Sequence, residues 1–179
     1  MPGSGKSSLA SVLKESGFAA VEMGQIVRNM MKKEHIKIDN HTLRIFALQL
    51  REKHGSMAVA KLTVREIHRR KGDIAVVGIR SKKEIDYFRK HIKDRMYVIS
   101  ITAPPMVRYK RMLQRSRMDD MKSYEDFLWR EKKELRYGVK GAMSDADFII
   151  SNAGERKTLS KNAKELVALI NKVGNRSKH

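Results

Sequence analysis

The order of apolar patterns along the chain predicts an α/β fold in which parallel strands are covered by helices on both faces. Three observations carry that prediction. Short continuous apolar runs, at Phe18 to Val21, Ile74 to Ile79, Tyr97 to Thr102 and Phe148 to Ser151, read as strands buried on both sides. Longer stretches with helical spacing separate them, and a glycine-rich turn opens the first helix.

The elements follow in order. Lys6 to Ser16 predicts a helix ended by Gly17, which tolerates the left-handed terminal conformation. Gly24 to Lys33 reads as helical, and His35 to Asn40 as a polar turn. Two helices follow, over Thr42 to His54 and Ser56 to Lys71, parted by Gly55. Leu43, Phe46, Ala47 and Leu50 give the first of these an apolar face. A helix near Lys82 to Ile92 leads to the third strand. Pro104 and Pro105 break the chain before a helix over Met106 to Arg117, and another covers Ser123 to Tyr137. The last helix spans Lys157 to Val173.

Composition bounds the rest. A chain of 179 residues suits one domain, which buries roughly 70% of its unfolded surface. The absence of cysteine excludes a disulfide framework, a thiolate metal site and a cysteine nucleophile. No apolar run approaches the ~20 residues of a membrane span, and MPGSGKSS lacks the apolar stretch of a secretory signal. The expectation is a soluble cytoplasmic protein. With 39 Lys+Arg against 20 Asp+Glu, the chain carries a formal charge of +19. Two readings follow: contact with a polyanion such as RNA, or a solvated surface plus a few phosphate-binding arginines. The histidines have no metal-ligand spacing, and the eleven Met residues sit mainly among apolar positions, as core gap-fillers do.

The sharpest local signal is Gly3-Ser4-Gly5-Lys6-Ser7-Ser8 at the mouth of the first helix. Glycines let successive backbone N–H groups approach phosphate oxygens, and the helix N-terminus adds positive potential. Lys6 is placed to reach the β- and γ-phosphates, and the Ser7 hydroxyl to ligate Mg²⁺. The complete pattern is G-x-x-x-x-G-K-[ST]; its first glycine would fall one position before Met1, with a feeding strand earlier still. The expectation is a first strand truncated at the N-terminus and a natural start upstream of Met1.

At this point the chain resembles the P-loop nucleoside monophosphate kinases, and within them the archaeal adenylate-kinase-related family, with features of dephospho-CoA kinase. Met23-Gly24-Gln25-Ile26-Val27-Arg28 is similar to the T-G-D-x-x-R segment lining the monophosphate site, with Gln25 where an acid is usual. Gly78-Ile79-Arg80-Ser81 resembles the D-G-x-R-S turn, with Val77 in place of the Asp that helps hold water around Mg²⁺. Asp73, at the opposite end of that strand, is a poor substitute. Arg108 to Asp120 resembles the R-x-x-R and R-x-D-D lid segment, and Ala146 to Gly154 the A-D-x-x-I-x-N-x-G segment near an adenine pocket.

The resemblance implies a three-layer P-loop fold across residues 1–179 with a helical acceptor-binding insert at about 24–71 and a lid at about 108–137. It implies ATP and Mg²⁺ as cofactors and a nucleoside monophosphate, AMP above all, as phosphoryl acceptor. Gly3, Ser4, Gly5, Lys6, Ser7, Ser8 and Asn152 would bind the donor nucleotide, with Ser7 as metal ligand. Gly24, Arg28, Gly78 and Arg80 would form the acceptor site, with Arg28 holding the acceptor phosphate through a forked, charge-assisted contact. Lys6, Arg115 and Arg117, joined by Arg130, would neutralise the transferred group. Two alternatives stand beside this reading: a nucleotide-binding RNA- or ribosome-associated factor, and an AMP-binding protein whose catalysis is weakened by Val77.

Overall fold

The computed structural model describes residues 1–115 and 123–176. Helix α1 (Lys6–Glu15) leads to strand β1 (Ala19–Glu22), then α2 (Met23–Lys33), α3 (Asn40–His54) and α4 (Ala58–His68). Strand β2 (Ile74–Val77) and α5 (Lys82–His91) follow, with β3 (Ile99–Thr102) and α6 (Pro105–Arg115). Helices α7 (Tyr124–Arg136) and α8 (Val139–Ser144), strand β4 (Phe148–Ser151) and α9 (Arg156–Arg176) complete the order.

Each boundary has a local cause. Asp39 caps α3 by accepting from His41 N and Thr42 N, while Thr42 Oγ1 accepts from Asp39 N, a reciprocal capping box. Ser81 and Ser123 cap α5 and α7 by accepting from Glu84 N and Asp126 N. Pro105 is the first residue of α6, where a missing N–H costs nothing, so it starts that helix rather than merely preceding it. The last strand keeps its expected bounds, the first three are trimmed at their ends, and β1 extends one residue further, to Glu22. Helix α8 has no counterpart in the sequence reading.

All strands pair in parallel, as expected, but not as one continuous sheet. Among the described residues they form two pairs, β1 with β2 and β3 with β4. Apolar runs identify strands without encoding which backbone each one bonds, so the split could not be read from them. The two pairs still share one core. Leu9, Val12 and Leu13 of α1 and Leu159, Ala163 and Leu166 of α9 enclose Ile101 and Ile150, with Ala75 of β2 packed against the same cluster. On the other side, Met31, Phe46, Ala60 and Phe88 join α2, α3, α4 and α5 in a second cluster, against which Val76 packs. Helices thus flank the strands on two faces.

Phe88, 1% exposed, is with Phe127 one of the two largest fully buried side chains among the described residues, and it sits in that second cluster. Truncating Phe88→Ala should cost about 3–5 kcal/mol through lost burial and a residual cavity. A urea titration would show it as a lowered midpoint at unchanged slope.

Candidate functional site

The site is built at the C-terminal tips of β1 and β2, where α/β folds place their ligands. The loop from Met1 to Gly5 feeds α1. Gly3 and Gly5 have φ of 72° and 100°, the left-handed region, and their neighbours leave no room for side chains. A Cβ on Gly3 would stand 2.6 Å from the carbonyl oxygen of Arg108, and one on Gly5 would collide with Asn152 Nδ2. No side chain caps α1 at Gly5, and its first turn holds no acid, so the leading N–H groups are left for an anion.

Three side chains hold this loop. Asn152 Nδ2 donates to the Ser4 carbonyl at 2.8 Å from 148 residues away, fully within the interior. Arg108 donates to Ala103 O at 2.9 Å, to Pro2 O at 3.4 Å and to Glu131 Oε1 at 2.5 Å. Lys6 Nζ donates to Met1 O at 2.6 Å, folding its ammonium back across the loop.

A cavity of about 970 Å³ opens over this loop. It brings together Gly3, Gly5, Lys6, Ser7 and Ser8 with Gly24 and Arg28 at the start of α2, Gly78 and Arg80 after β2, and Asn152 after β4. Arg130 also lines it. Ser4 does not: it is fully buried, and among the described residues its Oγ has no hydrogen-bond partner. The expected role of Asn152 near an adenine is joined by a structural one, since its amide is committed to the loop. The side chain of Arg115 and all of Arg117 lie outside the described residues.

The cations of the cavity are positioned by neighbours. Arg28 Nε donates to Gln25 Oε1 at 3.1 Å, so the amide found where an acid was expected still orients the guanidinium. Arg80 lies 3.5 Å from Glu134. Arg111 donates to Asn152 O at 2.7 Å and Gly154 O at 2.8 Å, fixing the turn after β4. Arg51, which the sequence reading passed over, lines the same cavity from the end of α3, over the Tyr137 ring at 5.6 Å. Burial, and then the nearby charge of Arg80, lowers its pKa from the ordinary arginine value. A signal for Arg51 existed: it falls four residues after Ala47, on the edge of the apolar face of α3.

Glu84 is buried at the foot of this cluster. Its carboxylate accepts from Arg80 N at 2.7 Å, and burial raises its pKa above the ordinary value despite that bond and the Arg80 and Arg51 charges. Among the described residues no group of three His, Cys, Asp or Glu is arranged to hold a metal ion, and no helix is long and apolar enough to cross a membrane.

Comparison with known proteins fits this geometry. The family described as an AAA domain matches residues 1–127. A UPF0200 protein of Pyrococcus horikoshii is 40% identical over 156 residues, covering 85% of this chain and 84% of that protein. Another, from Saccharolobus islandicus, is 35% identical over 175 residues, covering 97% and 92%. The chain belongs to the UPF0200 family. Among solved structures, TT1252 from Thermus thermophilus superposes with a TM-score of 0.63 at 21% identity, over 94% of this chain and 93% of that one. Shikimate kinase from Bacteroides thetaiotaomicron gives 0.61 at 12% identity over the same shares. At these identities the likeness establishes the fold: this UPF0200 chain has the P-loop kinase-like architecture.

Because the folded-state pKa of Glu84 is raised, the native state holds that proton more tightly than the unfolded chain. The resulting stability is complete below the ordinary value of 4.5 and is lost as pH rises through the folded value. Glu84→Gln keeps an acceptor for Arg80 N and does not titrate. Thermal melts from pH 4 upward should therefore fall less steeply with pH in the variant than in the wild type.

Proposed function

We propose that this protein is an ATP- and Mg²⁺-dependent nucleotide kinase-like phosphotransferase with a nucleoside monophosphate, AMP favoured, as acceptor. The observation that supports it is one cavity holding both an anion-accepting loop and, on separate elements, arginines that include Arg28, Arg51 and Arg80. In this reading α2 to α4 carry the acceptor side, and α6 and α7 form the lid.

The donor triphosphate lies along Gly3, Gly5 and the first N–H groups of α1, with Lys6 moving from Met1 O to a phosphate oxygen. The Ser7 hydroxyl is an oxygen donor of the kind Mg²⁺ takes and would hold the ion, which would supply charge neutralisation to the phosphate groups. Arg28, Arg51 and Arg80 hold the acceptor phosphate. One of its oxygens bonds to the γ-phosphorus as the bond to the bridging oxygen breaks, giving two nucleoside diphosphates. Positioning and charge compensation supply the rate, with the lid arginines Arg115 and Arg117 as further neutralising groups. Lid closure excludes water from the reacting phosphates.

Trp129, the single tryptophan, lines the cavity, so its fluorescence reports occupancy directly. ATP with AMP should yield ADP, and Lys6→Ala should abolish turnover. Arg51→Met should raise KM for the acceptor about tenfold or more while leaving ATP binding near wild type. No ADP above the Lys6→Ala background with any of a panel of monophosphates would refute the reading.

One observation favours a second reading, an RNA-associated nucleotide-binding factor. The packed helices α4 and α5 both end at the pole opposite the strand tips, where Arg65, Arg69, Arg70, Lys71, Lys90 and Lys93 are all exposed. Of these only Arg69 and Arg70 have an ion-pair partner among the described residues, Glu66. Single-stranded RNA should then bind with a log–log salt slope of about −0.7 per phosphate contact, weakened by reversing Arg65, Lys71 and Lys90. Salt-insensitive binding would remove this reading.

A further inference from the structure

The strand carrying Val77 has an acid beside it. In the β1–β2 register Glu22 is the direct partner of Val77. Partnered residues of neighbouring parallel strands project to the same side of the layer, with backbones about 4.8 Å apart. Ala75, two residues before Val77, packs into the cluster formed by α1 and α9. Val77 and Glu22 therefore point to that same side, the side from which α1 begins, and both line the cavity with Lys6 and Ser7.

The Glu22 carboxylate is also less engaged than its neighbours. Among the described residues its one charged partner is Arg28, at 3.9 Å, longer than a hydrogen bond, and its side chain is 35% exposed. The other acids of the cavity are occupied or differently placed. Glu84 is buried on Arg80 N, Glu134 pairs with Arg80, and Glu125 and Asp126 belong to the first turn of α7.

We infer that Glu22 supplies the carboxylate that positions hydrated Mg²⁺ on the bound nucleotide, in the place that Val77 leaves apolar. The inference rests on the nucleotide kinase-like reading and adds a residue that reading lacked. Mg²⁺ keeps several of its waters and is held through few protein oxygens plus phosphate. A carboxylate one strand over reaches those waters by accepting their hydrogen bonds, and the extra methylene of Glu relative to Asp helps bridge the strand spacing. Glu22 is thus a positioning residue, acting through water while Ser7 and the phosphates contact the ion. A hydroxyl facing the ion directly and a carboxylate facing it through water are oxygen groups of the hard kind that Mg²⁺ selects.

The test is calorimetric titration of a non-hydrolysable ATP analogue, with and without Mg²⁺. It uses the full chain as wild type, Glu22→Gln, the double variant Glu22→Gln/Val77→Asp, and Lys6→Ala. Wild type should bind more tightly with Mg²⁺. Glu22→Gln should lose about tenfold of that gain while its metal-free affinity stays unchanged, and Val77→Asp in the double variant should restore it. An undiminished gain in Glu22→Gln, an equal loss without metal, or no recovery in the double variant overturns the proposal while leaving the nucleotide reading intact. Failure of the wild type itself to bind the analogue above the Lys6→Ala level overturns the nucleotide reading, and this proposal with it.

Discussion

The hydrogen bond from Asn152 to the Ser4 carbonyl is the constraint on which the site depends. The loop from Met1 to Gly5 is poorly stabilised by itself, since its one internal backbone bond, Ser4 N to Met1 O, is long at 3.4 Å. A peptide with two left-handed residues and unpaired amides needs an external anchor to keep that shape. Asn152 provides it from the far strand pair, and Arg111 in turn holds Asn152 O and Gly154 O. Arg108 fixes the loop from the other side, its charge met by Glu131 and its plane over the Phe127 ring at 5.2 Å. The two glycines are required for the same reason, because the anchors stand where their Cβ atoms would be.

The strand layer explains why the cavity lies where it does. Helices α1 and α9 pack on each other and draw both strand pairs into one core, although β2 and β3 belong to separate sheets. β1 and β2 end together, with Glu22 beside Val77, so the start of α2 and the turn after β2 emerge side by side. Gly78, with φ 105°, lets that turn pass close to Met23, and the contact closes the wall on which Arg28 and Arg80 stand.

Much of this was legible in the sequence because it rests on local chemistry. Apolar periodicity located the strands and the long helices, and the Gly-Ser-Gly-Lys-Ser-Ser turn located the loop. Helix α8, with six residues, is too short to show a period, and glycine as its cap, Gly138, and within it, Gly141, gives no helical signal. The split of the strands into two pairs depends on long-range backbone bonds that no local pattern carries. Arg51 and Arg108 were harder still. Arg51 sits at the edge of an apolar helix face and Arg108 opens the segment that resembles a lid, but the tertiary partners, Tyr137 for one and Glu131 for the other, are what reveal where each charge is used. Glu22 was hidden by the end of its strand: the apolar run stops at Val21, while the backbone pairing continues one residue further.

The arrangement of charge argues for a site prepared before its ligand arrives. Arg28 is steadied by Gln25, Arg80 by Glu134 and Arg111 by carbonyls, so these guanidinium groups lose little rotamer freedom when an anion binds. Their neutralisation is incomplete. Burial, and then the Arg80 charge, lowers the pKa of Arg51 although Glu84 and Glu134 act the other way, so the protein holds two cations close together in a partly desolvated place. On the proposed reading, a doubly charged phosphate held between them would relieve that repulsion. The same pair would reject a neutral acceptor, because it would bury the arginines further without compensating them. On that reading, selectivity for a phosphorylated acceptor would follow from the charge that the fold assembles there, whichever base the acceptor carries.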